Sequence, residues 1–520
     1  MLTQSHLSKH NLQSSVAVPQ NKMSIKFTIN YMVNRIRRRG LFFTVLLIAA
    51  VLLWSNSVVA QTQETDLIAD YELTLDEAIK IALANSPQIK RALLAIDDAD
   101  ELVKIAYSEI YPELSSSLNY TRNFEIPVNF VPGQFFGGAP GTLVPVAFGT
   151  DNNWQGGFTA SQTLFRGETL VGLSSATVFK TVQSESYRAI SQQVITQTRI
   201  GYYSVLAAKE QMRLQETQIR RLEQNLKENE ARQRAGLVDE YAVLSLEVQL
   251  SNQRPQLIEA EYAVDEAYRM LKIGMGLALQ FDFAVKGSLN DFDIVSTDLT
   301  SDENEQIKKV DQMNPYTFQK ENLDSAGLEM VRGDLRVLDA TLALTDKEII
   351  AVKSRFLPTL SATYNLQWTS AEPDAPTFFE NSARFQTLGI NLSLPLFQGF
   401  KRVADVQRVL IQRKDLEEQK RGALLMAQNE VASASEDLNR AFETAEARKI
   451  ALQQATEGYE RAQKRLENGL GSQLELTDAE VQVRQAEVNY ALMVYQYLTA
   501  KAEYDLATGK VPYIDIEVVE

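Results

Sequence analysis

Apolar positions along this chain recur with two different periods, and the periods alternate. Between 360 and 369, Leu360, Ala362, Tyr364, Leu366 and Trp368 alternate with Ser361, Thr363, Asn365, Gln367 and Thr369. Further on, Leu388, Ile390, Leu392 and Leu394 alternate with Gly389, Asn391 and Ser393. A period of two puts the apolar side chains on one face of a β-strand and the polar ones on the other. Leu118, Tyr120 and Phe124, then Trp154, Phe158, Ala160 and Leu164, follow the same pattern earlier. Two strand pairs are predicted, over 114–165 and 359–397.

After each pair the period lengthens. Ala208, Met212, Gln215, Ile219, Leu222 and Leu226 fall at spacings of four and three, a heptad seam. Leu474, Val481, Val488 and Tyr495 are spaced by sevens. Neither 168–235 nor 400–468 contains a proline. A helix filling the interval from Gly167 to Gly236 would be on the order of 100 Å long, enough to cross a periplasm. Gly236 and Gly469 interrupt the pattern, and shorter apolar-periodic runs follow, so helical hairpins are expected over 168–273 and 400–507. Pro255 predicts a kink or break in the first return helix. Helices at about 87–107 and 316–355 precede the strand pairs. Stacked end to end, each could supply the length its return helix lacks.

The chain is one unit written twice. Gly236-Leu237 and Gly469-Leu470 stand 233 residues apart, as do Glu247-Val248-Gln249 and Glu480-Val481-Gln482. The turns Leu164-Phe165-Arg166-Gly167 and Leu396-Phe397-Gln398-Gly399 stand 232 apart. Tyr111-Pro112-Glu113-Leu114 and Leu357-Pro358-Thr359-Leu360 stand 246 apart. The extra residues fall in Phe130 to Gly141, a Gly-, Pro- and Phe-rich stretch expected to form the longer external loop. The organisation predicted is a leader over 1–60, a first repeat over 61–313 and a second over 314–520. An acidic, weakly patterned segment, 274–313, closes the first repeat, and a C-terminal tail follows 507.

Strand alternation with small uncharged polar partners fits a lipid-facing barrel, although a half-buried soluble sheet has the same period. Four strands cannot close a membrane barrel, and an open edge in lipid would leave backbone groups unsatisfied. Strands shared among three copies would give twelve and leave a water-filled lumen.

Composition narrows the chemistry. The chain has 520 residues, no Cys, and two His, both within the first ten residues. Seven basic and no acidic residues lie in the first 60, so the remainder carries −22 against −15 for the whole chain. Arg35 to Arg39, the apolar run Leu41 to Trp54, and Val58-Val59-Ala60 read as a secretory signal peptide cleaved after Ala60. A retained anchor is the alternative, but the run is shorter than the roughly 18–20 residues a spanning helix needs. The stretch before Arg35 is over-long for a leader, and Met32 is a second candidate start. The mature chain would lack His and Cys, which excludes His-based catalysis, thiolate chemistry and ordinary zinc sites. Its acidity disfavours nucleic acid. No catalytic residue, metal ligand or cofactor is predicted.

Leu73-Thr74-Leu75-Asp76-Glu77-Ala78-Ile79-Lys80-Ile81-Ala82-Leu83-Ala84-Asn85-Ser86-Pro87-Gln88-Ile89, with the duplicated Leu-Phe-x-Gly turns and Gly-Leu tips, resembles the outer-membrane efflux protein (TolC) family over about 71–509. The resemblance implies a mixed α and β membrane protein. Each chain of a homotrimer would give four strands to a shared twelve-stranded transmembrane barrel, continuous with a long α-helical coiled-coil barrel in the periplasm. It implies passive export across the outer-membrane lipid of substrates delivered by an inner-membrane pump through a periplasmic adaptor.

The same resemblance assigns sites. Glu475 and Asp478 match acidic gate positions at the periplasmic end; three apart on a helix, they share a face and would form a carboxylate ring in a trimer. Glu475 also fits a capping box begun by Ser472, so it serves as gate or cap. Ala242 stands where some relatives keep an acid, and Gly471 where some carry a basic residue that locks the tip, so no salt-bridge latch is expected. Gly236, Leu237, Gly469 and Leu470 resemble adaptor-docking tips, although glycine turns with a staple leucine explain them as well. Gly167 and Gly399 are the strand-to-helix turns. A periplasmic coiled-coil adaptor or a structural scaffold is the competing reading; an adaptor predicts one hairpin and no lipid-facing strands.

Overall fold

The computed structural model describes residues 72–292, 294, 325–373 and 382–511. The predicted leader, residues 295–313 of the acidic segment, 316–324 of the predicted helix, and the tail after Val511 lie outside the described residues.

The described residues begin with a short strand β1 (Glu72–Leu73), then α1 (Leu75–Asn85) and α2 (Pro87–Ser108). The Thr74 backbone N–H donates to the Glu77 carboxylate at 2.9 Å, and the Glu77 N–H donates to Thr74 Oγ1 at 3.4 Å. This reciprocal box starts α1. Ser86 ends it in an extended conformation, and Pro87 occupies the first turn of α2, where its missing N–H costs nothing. Strands β2 (Glu113–Arg122), β3 (Val128–Pro132), β4 (Leu143–Ala147) and β5 (Asn152–Phe165) follow. Helices α3 (Gly167–Arg234) and α4 (Glu240–Met275) form the first hairpin, and β6 (Ala284–Val285) pairs in parallel with β1. The second half runs α5 (Ser325–Val331), α6 (Gly333–Ser354), β7 (Thr359–Glu372), β8 (Ser382–Ser393), α7 (Lys401–Glu467) and α8 (Gln473–Ala507).

The larger sheet has the order β2-β5-β7-β8, antiparallel throughout. Its register makes it two-faced. Leu114, Ala160, Tyr364 and Leu388 form one row across the four strands, and Ser116, Phe158, Leu366 and Gln386 the next row of that face. The rows of the other face, Ser115-Thr159-Asn365-Thr387, Ser117-Gly157-Gln367-Phe385 and Asn119-Gln155-Thr369-Ala383, are uncharged and, apart from Phe385 and Ala383, small or polar. Leu114, Leu118, Leu388, Ile390 and Leu392 are all exposed within one chain. Strands β2 and β8 are the sheet's edges.

Three sequence expectations are corrected. The Phe130–Gly141 stretch is not a plain loop, because β3 and β4 pair across it as a separate two-stranded sheet. Its Gly and Pro residues hid the short strands. The helix expected over 316–355 is interrupted at Arg332, which is extended (φ −79°, ψ 122°). The interruption lets Gly333 approach α3, where a Cβ would meet the Ala189 Cα at 2.6 Å. Finally, α4 runs through Pro255 without a break. The turn before Pro255 is anchored, since buried Gln253 donates to Gln215 of α3 and accepts from Arg484 of α8.

Both α2 and α4 pack on α3, and α6 and α8 pack on α7 as well as on α3. Helix α8 therefore lies between the two long helices. Ile219, Leu222 and Leu226 of the predicted seam meet Leu246 and Leu250 of α4. Between 206 and 222 the buried positions of α3 are Leu206, Glu210, Leu214, Gln218 and Leu222, spaced by four, because α3 serves α8 in addition to α4. The main core lies where α1, α3, α4, β6 and α8 converge, built from Ile79, Leu83, Ile195, Leu206, Leu271, Met275, Val285, Val494 and Leu498. Tyr202 fastens it by donating to the Lys286 carbonyl at 2.6 Å. Beside this core, Arg199 of α3 meets Asp505 of α8 at 2.8 Å, and Lys501 meets the same carboxylate at 2.7 Å.

Candidate functional site at the hairpin tips

Each hairpin turns on a left-handed glycine, Gly236 at φ +69° and Gly469 at φ +70°. A side chain there would be strained, which explains the residue type. Gly236 N–H donates to the Gln233 carbonyl at 2.9 Å and Leu237 N–H to the Arg232 carbonyl at 2.9 Å. The second tip repeats the pattern: Gly469 to Leu466 at 3.0 Å and Leu470 to Arg465 at 2.8 Å. These bonds satisfy the last carbonyls of α3 and α7. The leucine after such a glycine commonly packs back on its own helix. Here Leu237 and Leu470 remain 75% and 74% exposed, so neither acts as a staple.

The tips differ on the return side. Asp239 caps α4 by accepting from the Ala242 N–H at 3.1 Å; Ser472 caps α8 by accepting from the Glu475 N–H at 3.2 Å. The Glu475 carboxylate turns to Arg465 Nε at 3.4 Å, leaving the predicted capping box one-sided. Arg465 also donates to the Leu470 carbonyl at 3.2 Å. A tip ion pair thus exists where none was expected, supplied by the long helix and not by position 471. Both partners are about half exposed, so the pair contributes little stability, about 0–1 kcal/mol. Asp478, one turn beyond Glu475, is exposed.

Two positions further, Glu480 is 3% exposed. Its Oε2 accepts from Asn225 of α3 at 3.1 Å. Burial pushes its carboxyl up, against the pull of Arg221, Arg484 and the Asn225 hydrogen bond. Arg221 pairs with Glu487 at 3.6 Å, and Arg484 donates to Gln253 at 3.0 Å. A polar seam thus joins α8 to the first hairpin. Sequence reasoning missed Arg465 and Glu480. The first has a visible signal, since Arg232 and Arg465 share the 233-residue spacing.

The strand-to-helix turns are built differently. Gly167 opens α3 so close to α6 that a Cβ would meet Ser354 Cβ at 2.9 Å. Gly399 needs glycine for its conformation (φ +57°), and Phe400 follows it in the same left-handed region at φ +64°. Among the described residues, no helix is long and apolar enough to cross a membrane, and no group of three Asp, Glu, His or Cys is placed to hold a metal.

A two-faced four-stranded sheet continuing into helical hairpins on the order of 100 Å long defines a class: membrane strands carried on a periplasmic helical shaft. The profile of the outer membrane efflux protein family matches residues 78–276 and 330–510. The chain belongs to that family, and so to the outer membrane with an extension into the periplasm. No curated protein sequence matches the chain. Among solved structures, it is similar to the Campylobacter jejuni CmeC outer membrane channel (18% identity, TM-score 0.61, 84% of this chain and 85% of that one). It is also similar to CusC, described in connection with folding and transmembrane channel formation (17%, 0.64, 84% and 91%). The open state of the Neisseria gonorrhoeae MtrE outer membrane channel matches at 17% and 0.63, over 84% and 88%.

Proposed function

We propose that this chain is the outer-membrane channel of a tripartite efflux system and not an enzyme. Three copies pool their strands into a twelve-stranded barrel, and their hairpins form a helical tunnel through which substrate passes passively. An inner-membrane pump loads the tunnel, and a periplasmic adaptor holds its lower end. The two halves of the chain are one duplicated unit, each contributing a strand pair and a hairpin.

The observation that carries this reading is the sheet. One face is mostly apolar and exposed, the other mostly small or polar, and both edges are unpaired among the described residues. Lipid outside, water inside and a second copy at each edge satisfy all three features. The exposed Leu237 and Leu470 supply the docking contacts for the adaptor. Glu475 and Asp478, repeated by threefold symmetry, form a carboxylate gate that attracts cations and resists closure by like-charge repulsion.

The test is reconstitution of the purified mature chain in planar bilayers. A trimer with single-channel conductance is expected, and Glu475→Gln with Asp478→Asn should change conductance or divalent-cation block. Absence of conductance, or recovery of the protein in a detergent-free soluble fraction, overturns the channel; unchanged conductance and block remove the two carboxylates from the gate.

A further inference from the structure

The seam between α8 and the first hairpin is short of hydrogen-bond donors. Glu480 Oε1, Asn229 Oδ1 and Gln218 Oε1 are buried acceptors without a partner among the described residues. Asn229 lies one turn beyond Asn225 on α3, and its own amide N–H donates to the Asn225 carbonyl at 2.9 Å. Asn225 in turn spends an amide N–H on Glu480 Oε2 at 3.1 Å. One hydrogen on the free oxygen of Glu480 would convert an orphaned acceptor into the donor this stretch lacks. Native interiors seldom leave buried acceptors unmatched.

The charges around Glu480 do not remove the need for that hydrogen. From α3 it faces Arg221, and from its own helix Arg484. Arg221 is engaged with Glu487, and Arg484 with Gln253. From α7 it faces Tyr459, which Glu228 also approaches; burial first, and then Glu480, hold the Tyr459 hydroxyl above its ordinary range.

We propose that Glu480 is a positioning residue for the gate, a carboxyl that holds a proton while α8 lies packed on the first hairpin and releases it when α8 swings away. The proposal rests on the gate lying at Glu475 and Asp478, one turn from Glu480 on the same helix. In the packed state the carboxyl is buried with one oxygen unpartnered; in the separated state water solvates the carboxylate. Packing therefore takes up a proton and separation releases it. By linkage, acid clamps the second hairpin onto the first, and neutral or alkaline solution frees it. Glu247, in the equivalent Glu-Val-Gln of the first hairpin, is exposed and has no such role.

The experiment uses the full mature chain with Glu475→Gln and Asp478→Asn already introduced, so that the gate acids do not titrate. Conductance is recorded from about pH 5 to about pH 8, with Glu480→Gln and Glu247→Gln compared against that background. We expect conductance to fall several-fold in acid for the background and for Glu247→Gln. Glu480→Gln should sit at the low, acid-like level across the range. A profile unchanged by Glu480→Gln overturns the proposal. Infrared spectra supply an arm that needs no conduction: a protonated-carboxyl band in mild acid that outlasts the exposed carboxyls and fades as pH rises further, lost in Glu480→Gln and kept in Glu247→Gln. No such band, or one that survives Glu480→Gln, also overturns it. A chain that conducts in no variant indicts the channel reading, while the infrared band still decides the proton. Glutamine is nearly isosteric, and thermal unfolding of each variant shows whether the fold survives.

Discussion

Glu247 and Glu480 occupy the same place in two identical tripeptides, 233 residues apart, yet Glu247 is exposed and Glu480 is buried. The flanking residues differ, with Ser251 where the second copy has Arg484, and so does the packing. Helix α4 packs on α3, whereas α8 lies between α3 and α7, so the same register meets solvent in one hairpin and a second helix in the other. The base of each return helix differs too. Asp505 of α8 sits in a buried pair with Arg199, while position 272 of α4, at the same spacing, is Lys272. Its ammonium donates to the Leu279 carbonyl at 3.0 Å and reaches exposed Asp282 at 3.3 Å. The second hairpin is thus pinned at its base by charge and held toward its tip by a donor-poor polar seam. That is the mechanical arrangement of a lever with a fixed end and a releasable one.

The largest expected effect tests the fixed end. Asp505→Ala leaves the Arg199 guanidinium buried beside an apolar core, a change that costs about 3–5 kcal/mol. Lys272→Met removes two charge-assisted contacts, one of them to an exposed carboxylate, but keeps the aliphatic stem packed, so its cost is nearer about 1–2 kcal/mol. Thermal unfolding of the detergent-solubilised protein checks the ranking. Equal losses would mean that the two bases are equivalent and that the lever has no distinct anchor.

A smaller effect separates a half-buried carboxylate from a buried one by sign. Arg336 of α6 donates to Glu185 of α3, with Nε to Oε2 at 2.6 Å, and this hydrogen bond holds the Glu185 carboxyl below its ordinary value of 4.5. A carboxylate depressed in the folded state stabilises it above the unfolded value, and the contribution is lost as pH falls through the lower folded value. Acid below about pH 4.5 should therefore weaken the α3–α6 joint by about 1–2 kcal/mol, and Arg336→Gln should abolish that acid sensitivity. Glu480 runs the other way. Its folded-state value is raised, so the seam is strongest below the ordinary 4.5 and weakens as pH climbs from there toward the raised value. Hydrogen exchange of α6 and α8 at several pH values distinguishes the two; parallel acid responses in both helices would refute the assignment of opposite signs.

Much of this architecture was legible because periodicity and punctuation agree. The alternation in 360–369 became a strand whose own apolar residues share one face, with Leu392, Ile390 and Leu388 opposite Leu360, Ala362 and Tyr364, and Gly236 and Gly469 turned where the heptads stopped. What stayed hidden depends on a third body. A heptad seam predicts burial against one neighbour, but α3 has α2, α4, α6 and α8 around it, so the buried stripe moved to Leu206, Glu210, Leu214 and Gln218. The break at Arg332 follows from the approach of Gly333 to Ala189, residues 144 positions apart, which no local pattern encodes. Proline at 255 reads as a helix breaker, yet contacts made by Gln253 to two other helices carry α4 through it. At the candidate site the residues Glu475 and Asp478 came from a resemblance; the arginine that meets the first of them lies ten residues earlier, across the turn, and is brought there by the fold of the tip.

The smallest expected effect isolates the difference between the tips. Arg232 stands in the first tip where Arg465 stands in the second, and Ala242 where Glu475 stands. The first tip therefore has half of a clasp. Ala242→Glu should complete it, and Glu475→Ala should dissolve the existing one, each changing local stability by less than about 1 kcal/mol because both partners face solvent. So small an effect is best seen as amide exchange in the two residues after each glycine, with high salt as the internal control. Added salt should erase the gain in Ala242→Glu and mimic the loss in Glu475→Ala. If Ala242→Glu slows exchange at Leu237 and Val238 in low salt only, the two tips differ by one carboxylate. If it does nothing, the Arg465 contact with the Leu470 carbonyl, and not its ion pair, is what orders the second tip, and Arg465→Ala would then be the more damaging change.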